Sequence, residues 1–283
     1  MPWVHGRPDL EGVNPAPLVD PSPTASRRVR AAERLPAALA VRRGLRTVHE
    51  VIDRRAVEVV FAPMVRPATG DVVGLEAAIR GLDGTAFTSA RSLRHAAAAV
   101  GRLSELDWVG RAAAARALAQ RAVDPSVALF FAADARVLYE PCPTDCLPLV
   151  RSLLTSRRCI LRLDPGHSTT LAHAMVAGTD QLRAAGFEIA IDGPPMGVPS
   201  GSMLRCFDPE LTTVDARALV TLTHRDGPRA VPALGEFYRR AGRQVVARHV
   251  EDAEGARLAG AMGAAFSQGP FHGRPAPLGT TRL

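Results

Sequence analysis

Hydrophobic positions recur along this chain in two rhythms, one of period two and one near 3.6. Residues 57–65 alternate and are rich in β-branched side chains, which predicts a strand. Pro67, Ala68, Thr69 and Gly70 then read as a turn, so residues 71–80 are predicted as the second arm of a hairpin. Further strands are predicted at 127–133, 159–163, 187–191, 211–214, 244–250 and 265–268. Helices are predicted between them: an Ala-rich stretch over 104–122, then 148–156, 168–185 closed by Gly186, 231–241, and 253–262 closed by Gly263. Upstream, Leu39, Val41, Leu45, Val48, Val51 and Ile52 fall near helical spacing within residues 35–54. Alternation of this kind implies a parallel α/β fold, and about eight strands suggest a closed (β/α)8 barrel of the TIM type, although an open doubly wound sheet reads similarly.

Composition narrows the chemistry. Hydrophobic residues make up 47% of the 283, but aromatics only 5%, so the core is built mostly from Ala, Val and Leu. The sequence contains no lysine, and its formal net charge of +7 is carried by arginine. Schiff-base, Walker and general-base lysines are thereby excluded. Arginine clamps anions but does not act as a base at neutral pH. Residues 1–34 are rich in Pro, Arg and small polar residues, which predicts a disordered tail ahead of a globular domain over 35–283. Cys142, Cys146, Cys159 and Cys206 lack the paired spacing of a zinc ribbon. No apolar stretch of about 18 residues occurs and the first residues lack a signal-peptide core, so a soluble cytoplasmic protein without a membrane span is expected.

In a barrel the chemistry sits where the strands end. The residues closing the predicted strands are Glu76 and Arg80, 132–134, 162–165, Asp192 and Gly193, 213–215, 248–251, and Gln268. This set mixes acids with arginines, where a two-metal hydrolase needs converging carboxylates and histidines.

Several of these strand ends carry recognisable motifs. Gly74-Leu75-Glu76-Ala77-Ala78-Ile79-Arg80 resembles the G-x-E-A-L-x-R signature of the EAL family. Residues 61–65 resemble its preceding Y-Q-P-I-V strand, 186–192 its G-x-x-I-A-x-D-D segment, and Val214-Asp215 the end of its L-K-I-D strand. Residues 245–251 resemble V-V-A-E-G-V-E, and Gln268-Gly269 with Gly273-Arg274-Pro275 match Q-G-x-x-x-G-R-P. The resemblance runs in order from about residue 37 to 278 and implies an EAL-type barrel.

The family resemblance further implies a cyclic-di-GMP phosphodiesterase that holds two Mg²⁺ or Mn²⁺ ions. By that resemblance Glu76, Asp192, Glu251 and Gln268 are what remains of the metal site. Ala132 stands where the family has Asn, Arg162 and Arg248 where it has Glu, Gly193 where it has a second Asp, and Thr213 where it has Lys. The expectation is therefore a degenerate member with no catalytic residues, no cofactor and no Mg²⁺ or Mn²⁺ binding. Arg80, Arg162 and Arg248 are the candidate phosphate-binding residues. The plain structural alternative is that Glu76 and Asp192 simply pair with Arg162 or Arg248. His249 and His272 read as ordinary residues near the pocket mouth.

Two functions follow. One is a regulatory module acting on a protein partner, with residues 24–46 and the Pro-rich loop 194–200 as contact surfaces. The other is a metal-independent receptor for cyclic-di-GMP. The family's counterpart of the 194–200 loop carries dimer contacts, which leaves a homodimer open. Nucleic-acid binding rests on net charge alone, with no recognition motif to support it.

Overall fold

The computed structural model describes residues 48–81, 87, 89–133, 140–164, 172–193 and 201–279. The predicted tail over 1–34, most of the helix predicted over 35–54, the 194–200 loop and Asp134 lie outside these residues; residues 48–53 are helical. Eight strands form a closed barrel in chain order: β1 (Val57–Val65), β2 (Val72–Gly81), β3 (Ala128–Ala133), β4 (Cys159–Leu163), β5 (Phe187–Ile191), β6 (Leu211–Asp215), β7 (Gln244–Arg248) and β8 (Phe266–Ser267). Neighbours from β2 to β8 pair in parallel, whereas β1 is antiparallel to both β2 and β8. The hairpin predicted from residues 67–70 is present, with Glu76 opposite Ala62 and Arg80 opposite Glu58.

Among the described residues the helices are α1 (Ala90–Ala99), α2 (Leu103–Ala119), α3 (Leu147–Ser156), α4 (Ala172–Ala184), α5 (Gly201–Phe207), α6 (Ala216–Asp226), α7 (Ala230–Arg240) and α8 (Ala253–Ala261). Short acceptor side chains start three of them. Ser89 caps α1 by accepting from the Ser92 N–H, Asp215 caps α6 from the Arg217 N–H, and Asp252 caps α8 from the Gly255 N–H. Helices α1, α5 and α6 were not predicted. β7 stops two residues earlier than expected, because His249 takes φ +56°, a left-handed conformation that a strand does not tolerate.

Strand residues alternate between the two faces of the barrel wall. One set, including Leu75, Leu129, Phe131, Leu161, Ile189 and Ile191, packs in a cluster with residues of α2 and α3. The other set fills the barrel: Met64, Ala128, Phe130, Ile160, Ala190, Leu211, Val246 and Phe266 form a single apolar cluster. Gly74 makes room for it, since a Cβ there would lie 3.1 Å from the Phe130 ring, which meets Phe266 edge-on at 4.9 Å. Two residues further along β3 to β8, each strand presents the next inward position: Ala132, Arg162, Asp192, Thr213, Arg248 and Gln268. Period-two geometry thus places the polar candidates in one layer above an apolar plug.

Candidate functional site

Within that layer Arg162 is central. Its Nη2 donates to Glu76 Oε1 at 2.6 Å and its Nη1 to Asp192 Oδ2 at 2.5 Å. Each carboxylate then uses its second oxygen elsewhere. Gln268 Nε2 donates to Glu76 Oε2 at 2.6 Å, and the Thr213 hydroxyl donates to Asp192 Oδ1 at 2.9 Å. The Gly193 N–H in turn donates to Thr213 Oγ1 at 3.3 Å.

Arg248 is held more loosely. Its Nη2 is 3.8 Å from Glu76, its Nη1 3.7 Å from Asp192, and its Nε donates to Gln268 Oε1 at 3.4 Å. The side chains of Arg162, Glu76, Asp192 and Arg248 are 11, 14, 17 and 19% exposed. Two guanidiniums and two carboxylates therefore balance within one half-enclosed layer.

This balance governs the charges. Burial pushes the Glu76 carboxyl up, but Arg162 and Arg248 with the Gln268 hydrogen bond outweigh it and hold the group at about 2. Burial also disfavours a charged Arg162, yet the carboxylates it bridges raise its pKa above the ordinary value. For Arg248, burial and then repulsion from Arg162 prevail over attraction to the acids, so its pKa is lowered.

The structure thus brings together five of the residues singled out in the sequence: Glu76, Arg162, Asp192, Arg248 and Gln268. The expected guanidinium–carboxylate pairing is present. It does not bring the other two into the same network. Arg80 pairs instead with Glu58, Nη2 to Oε2 at 2.7 Å, because β1 places Glu58 directly opposite it. Glu251 is exposed beyond the end of β7 and acts electrostatically on Arg217.

His249 lies with Nδ1 3.2 Å from Asp215 Oδ2, and His272 shares a 2.7 Å hydrogen bond with Ser267 Oγ. Burial lowers the His272 pKa. Among the described residues no group of three or more His, Cys, Asp or Glu is gathered as a metal site. One neighbour was missed altogether. Arg111 of α2 is buried beside the cluster, and nothing in an Ala-rich helix distinguishes a buried arginine from an exposed one.

The family model of the EAL domain matches residues 45–275. The chain belongs to the EAL domain family. Solved structures agree in fold. The EAL domain of Xanthomonas citri FimX, solved in complex with c-diGMP, superposes with TM-score 0.71 at 16% identity, over 86% of this chain and 97% of that one. The PaMucR phosphodiesterase in its c-di-GMP complex gives TM-score 0.66 at 21% identity, over 83% and 97%. Klebsiella pneumoniae BlrP1, in a calcium and cy-diGMP complex, gives TM-score 0.64 at 26% identity, over 78% of this EAL chain and 56% of its own longer one. No curated protein sequence matches the chain. No helix among the described residues is long and apolar enough to cross a membrane.

Proposed function

We propose that this EAL-domain chain is a catalytically inactive regulatory protein in cyclic-di-GMP-type signalling, acting through contacts with another protein. The observation that carries the reading is the Arg162 bridge between Glu76 and Asp192. Two divalent cations need several anionic oxygens to offset their mutual repulsion. Here the two carboxylates of the layer are already bridged by the one Arg162 guanidinium, at 2.6 Å to Glu76 and 2.5 Å to Asp192.

A unit charge about 4 Å from another interacts by roughly 4 kcal/mol at an effective dielectric near 20, and a dication doubles that. With Arg162 and Arg248 in the layer, the interaction of a metal with its nearest cations is repulsive on this scale. The donor set does not fit a pair of Mg²⁺ or Mn²⁺ ions, and no metal-dependent step is derived from it.

Arg248 favours a second reading. Its contacts to Glu76, Asp192 and Gln268 are all 3.4 Å or longer, so its fork is available to a ligand phosphate. The c-di-GMP held by the FimX and PaMucR domains supplies such phosphates. On this alternative the chain is a metal-independent cyclic-di-GMP receptor.

Isothermal titration with cyclic-di-GMP, with and without Mg²⁺, separates the readings when combined with a hydrolysis assay in Mg²⁺ and Mn²⁺. The regulatory reading expects neither heat nor turnover. Micromolar binding without metal, lost in Arg248→Ala, transfers the function to the receptor. Hydrolysis clearly above blank refutes both.

A further inference from the structure

Beside the charged layer, between β2 and α2, lies a cavity of about 220 Å³. Glu76, Ala132 and Arg162 line it from the barrel, and Arg94, Asp107 and Arg111 from α1 and α2. Arg94 is paired with Asp107. Arg111 is in a different position. It is 1% exposed, and none of its three side-chain nitrogens has a hydrogen-bond partner.

Two aromatic rings approach the guanidinium, with its central carbon 4.5 Å from the Trp108 centroid and 6.0 Å from that of Phe187. Contact with ring faces attracts a cation but leaves its N–H donors unused, and those lie in the guanidinium plane. Burial pulls the Arg111 pKa down to about 10, which still leaves the group charged at neutral pH. Buried charges are normally paired, and buried N–H groups normally have acceptors. Asp107, the acid with the largest influence on Arg111, is already bound to Arg94.

We propose that this cavity binds a small oxyanion, with Arg111 as its buried anchor and Arg162 as the second cation. Three guanidiniums and two carboxylates line it, so one negative charge completes the balance. A planar guanidinium matches two oxygens of a carboxylate, phosphate or sulfate at once. A cavity of this size has room for one small oxyanion with solvent. The cavity shares Glu76 and Arg162 with the charged layer, but its anchor, Arg111, lies on α2, and anion binding there is independent of whether the chain binds cyclic-di-GMP.

The test is thermal unfolding of the full chain in a buffer free of oxyanions, at constant ionic strength set by chloride. Inorganic phosphate, sulfate and acetate are titrated separately, which distinguishes the anion classes. At least one should raise Tm saturably, by roughly 5–10 °C at a hundredfold excess over Kd. The rise should disappear in Arg111→Met, and also in Ala132→Leu, which fills the cavity and leaves Arg111 in place. It should persist in Arg225→Ala, on the exposed surface. If Arg111→Met does not fold, Ala132→Leu decides alone. No rise with any of the three anions overturns the proposal. So does a rise that survives the cavity variants, which is the behaviour of adventitious surface ions.

Discussion

Replacing Arg162 with Met removes the charge at the centre of the layer while keeping a long side chain in its place. Glu76 and Asp192 would then be left facing Arg248 alone, at 3.8 and 3.7 Å. Breaking one partner out of a buried pair costs roughly 3–5 kcal/mol. The titration of Glu76 gives a second route to the magnitude. Its carboxyl is held at about 2 against an ordinary 4.5. At about 1.4 kcal/mol per pH unit, the gap corresponds to roughly 3 kcal/mol of linked stability.

Because the folded value lies below the unfolded one, this stability is fully present above pH 4.5. It is lost as the pH falls from there towards 2. In Arg162→Met the gap narrows, since burial then acts on Glu76 with less opposing charge. Urea unfolding at pH 7 and pH 3, followed by circular dichroism, measures both effects. The variant should be less stable by about 3–5 kcal/mol at pH 7, and the deficit should shrink by about 2 kcal/mol at pH 3. An equal deficit at the two pH values would refute the argument that Arg162 sets the charge of Glu76.

Three further outcomes are expected. The double variant Arg162→Glu, Arg248→Glu concentrates carboxylates in the layer, so Mn²⁺ should raise its melting temperature while leaving the parent unchanged; equal responses would count against the poor fit to metals. Gly235→Ala places a Cβ against the Met262 carbonyl, which forces α7 off the barrel, and chemical denaturation should show a loss of at least about 1–3 kcal/mol. Thiol labelling at pH 8 should modify the exposed Cys206 rapidly, whereas Cys159, buried and with its thiol pushed up to about 12, should react only when the chain unfolds.

Much of the barrel was legible because strand and helix periods differ sharply. The hairpin at residues 67–70, the β-rich run of β1 and the strand of β5 all stand where the pattern placed them. Helix α6 is hidden in the sequence because the residue before it, Asp215, also closes a strand. Asp215 is also the N-cap of α6, and Gly227 at φ +86° ends that helix, so both signals were present in the sequence.

Arg162 and Asp192 are legible in the sequence as opposite charges at strand ends, whereas Glu76, read there as closing its strand, lies midway along β2. The partition between Arg162, tightly held, and Arg248, loosely held, is not legible there, because it depends on distances within the layer. Arg80 shows the limit most clearly: only the β1–β2 register reveals that Glu58 faces it. Arg111 escaped notice because α2 is buried on nearly every side, so its sequence lacks the polar face that normally separates inner from outer positions.

The barrel's seam lies between its first and last strands. β1 is complete on one side as soon as β2 is made, but its other edge waits for Ser267, and Phe61 waits for Ala276. During synthesis, an apolar strand edge therefore stays open until the end of the barrel sequence has left the ribosome, a period when unpaired edges invite aggregation. The Gln268–Glu76 hydrogen bond spans 192 residues and forms only at that closure. The charged layer is thus completed only by the last part of the barrel to be synthesised, and a nascent chain stalled before β8 lacks both a sealed edge and a finished site.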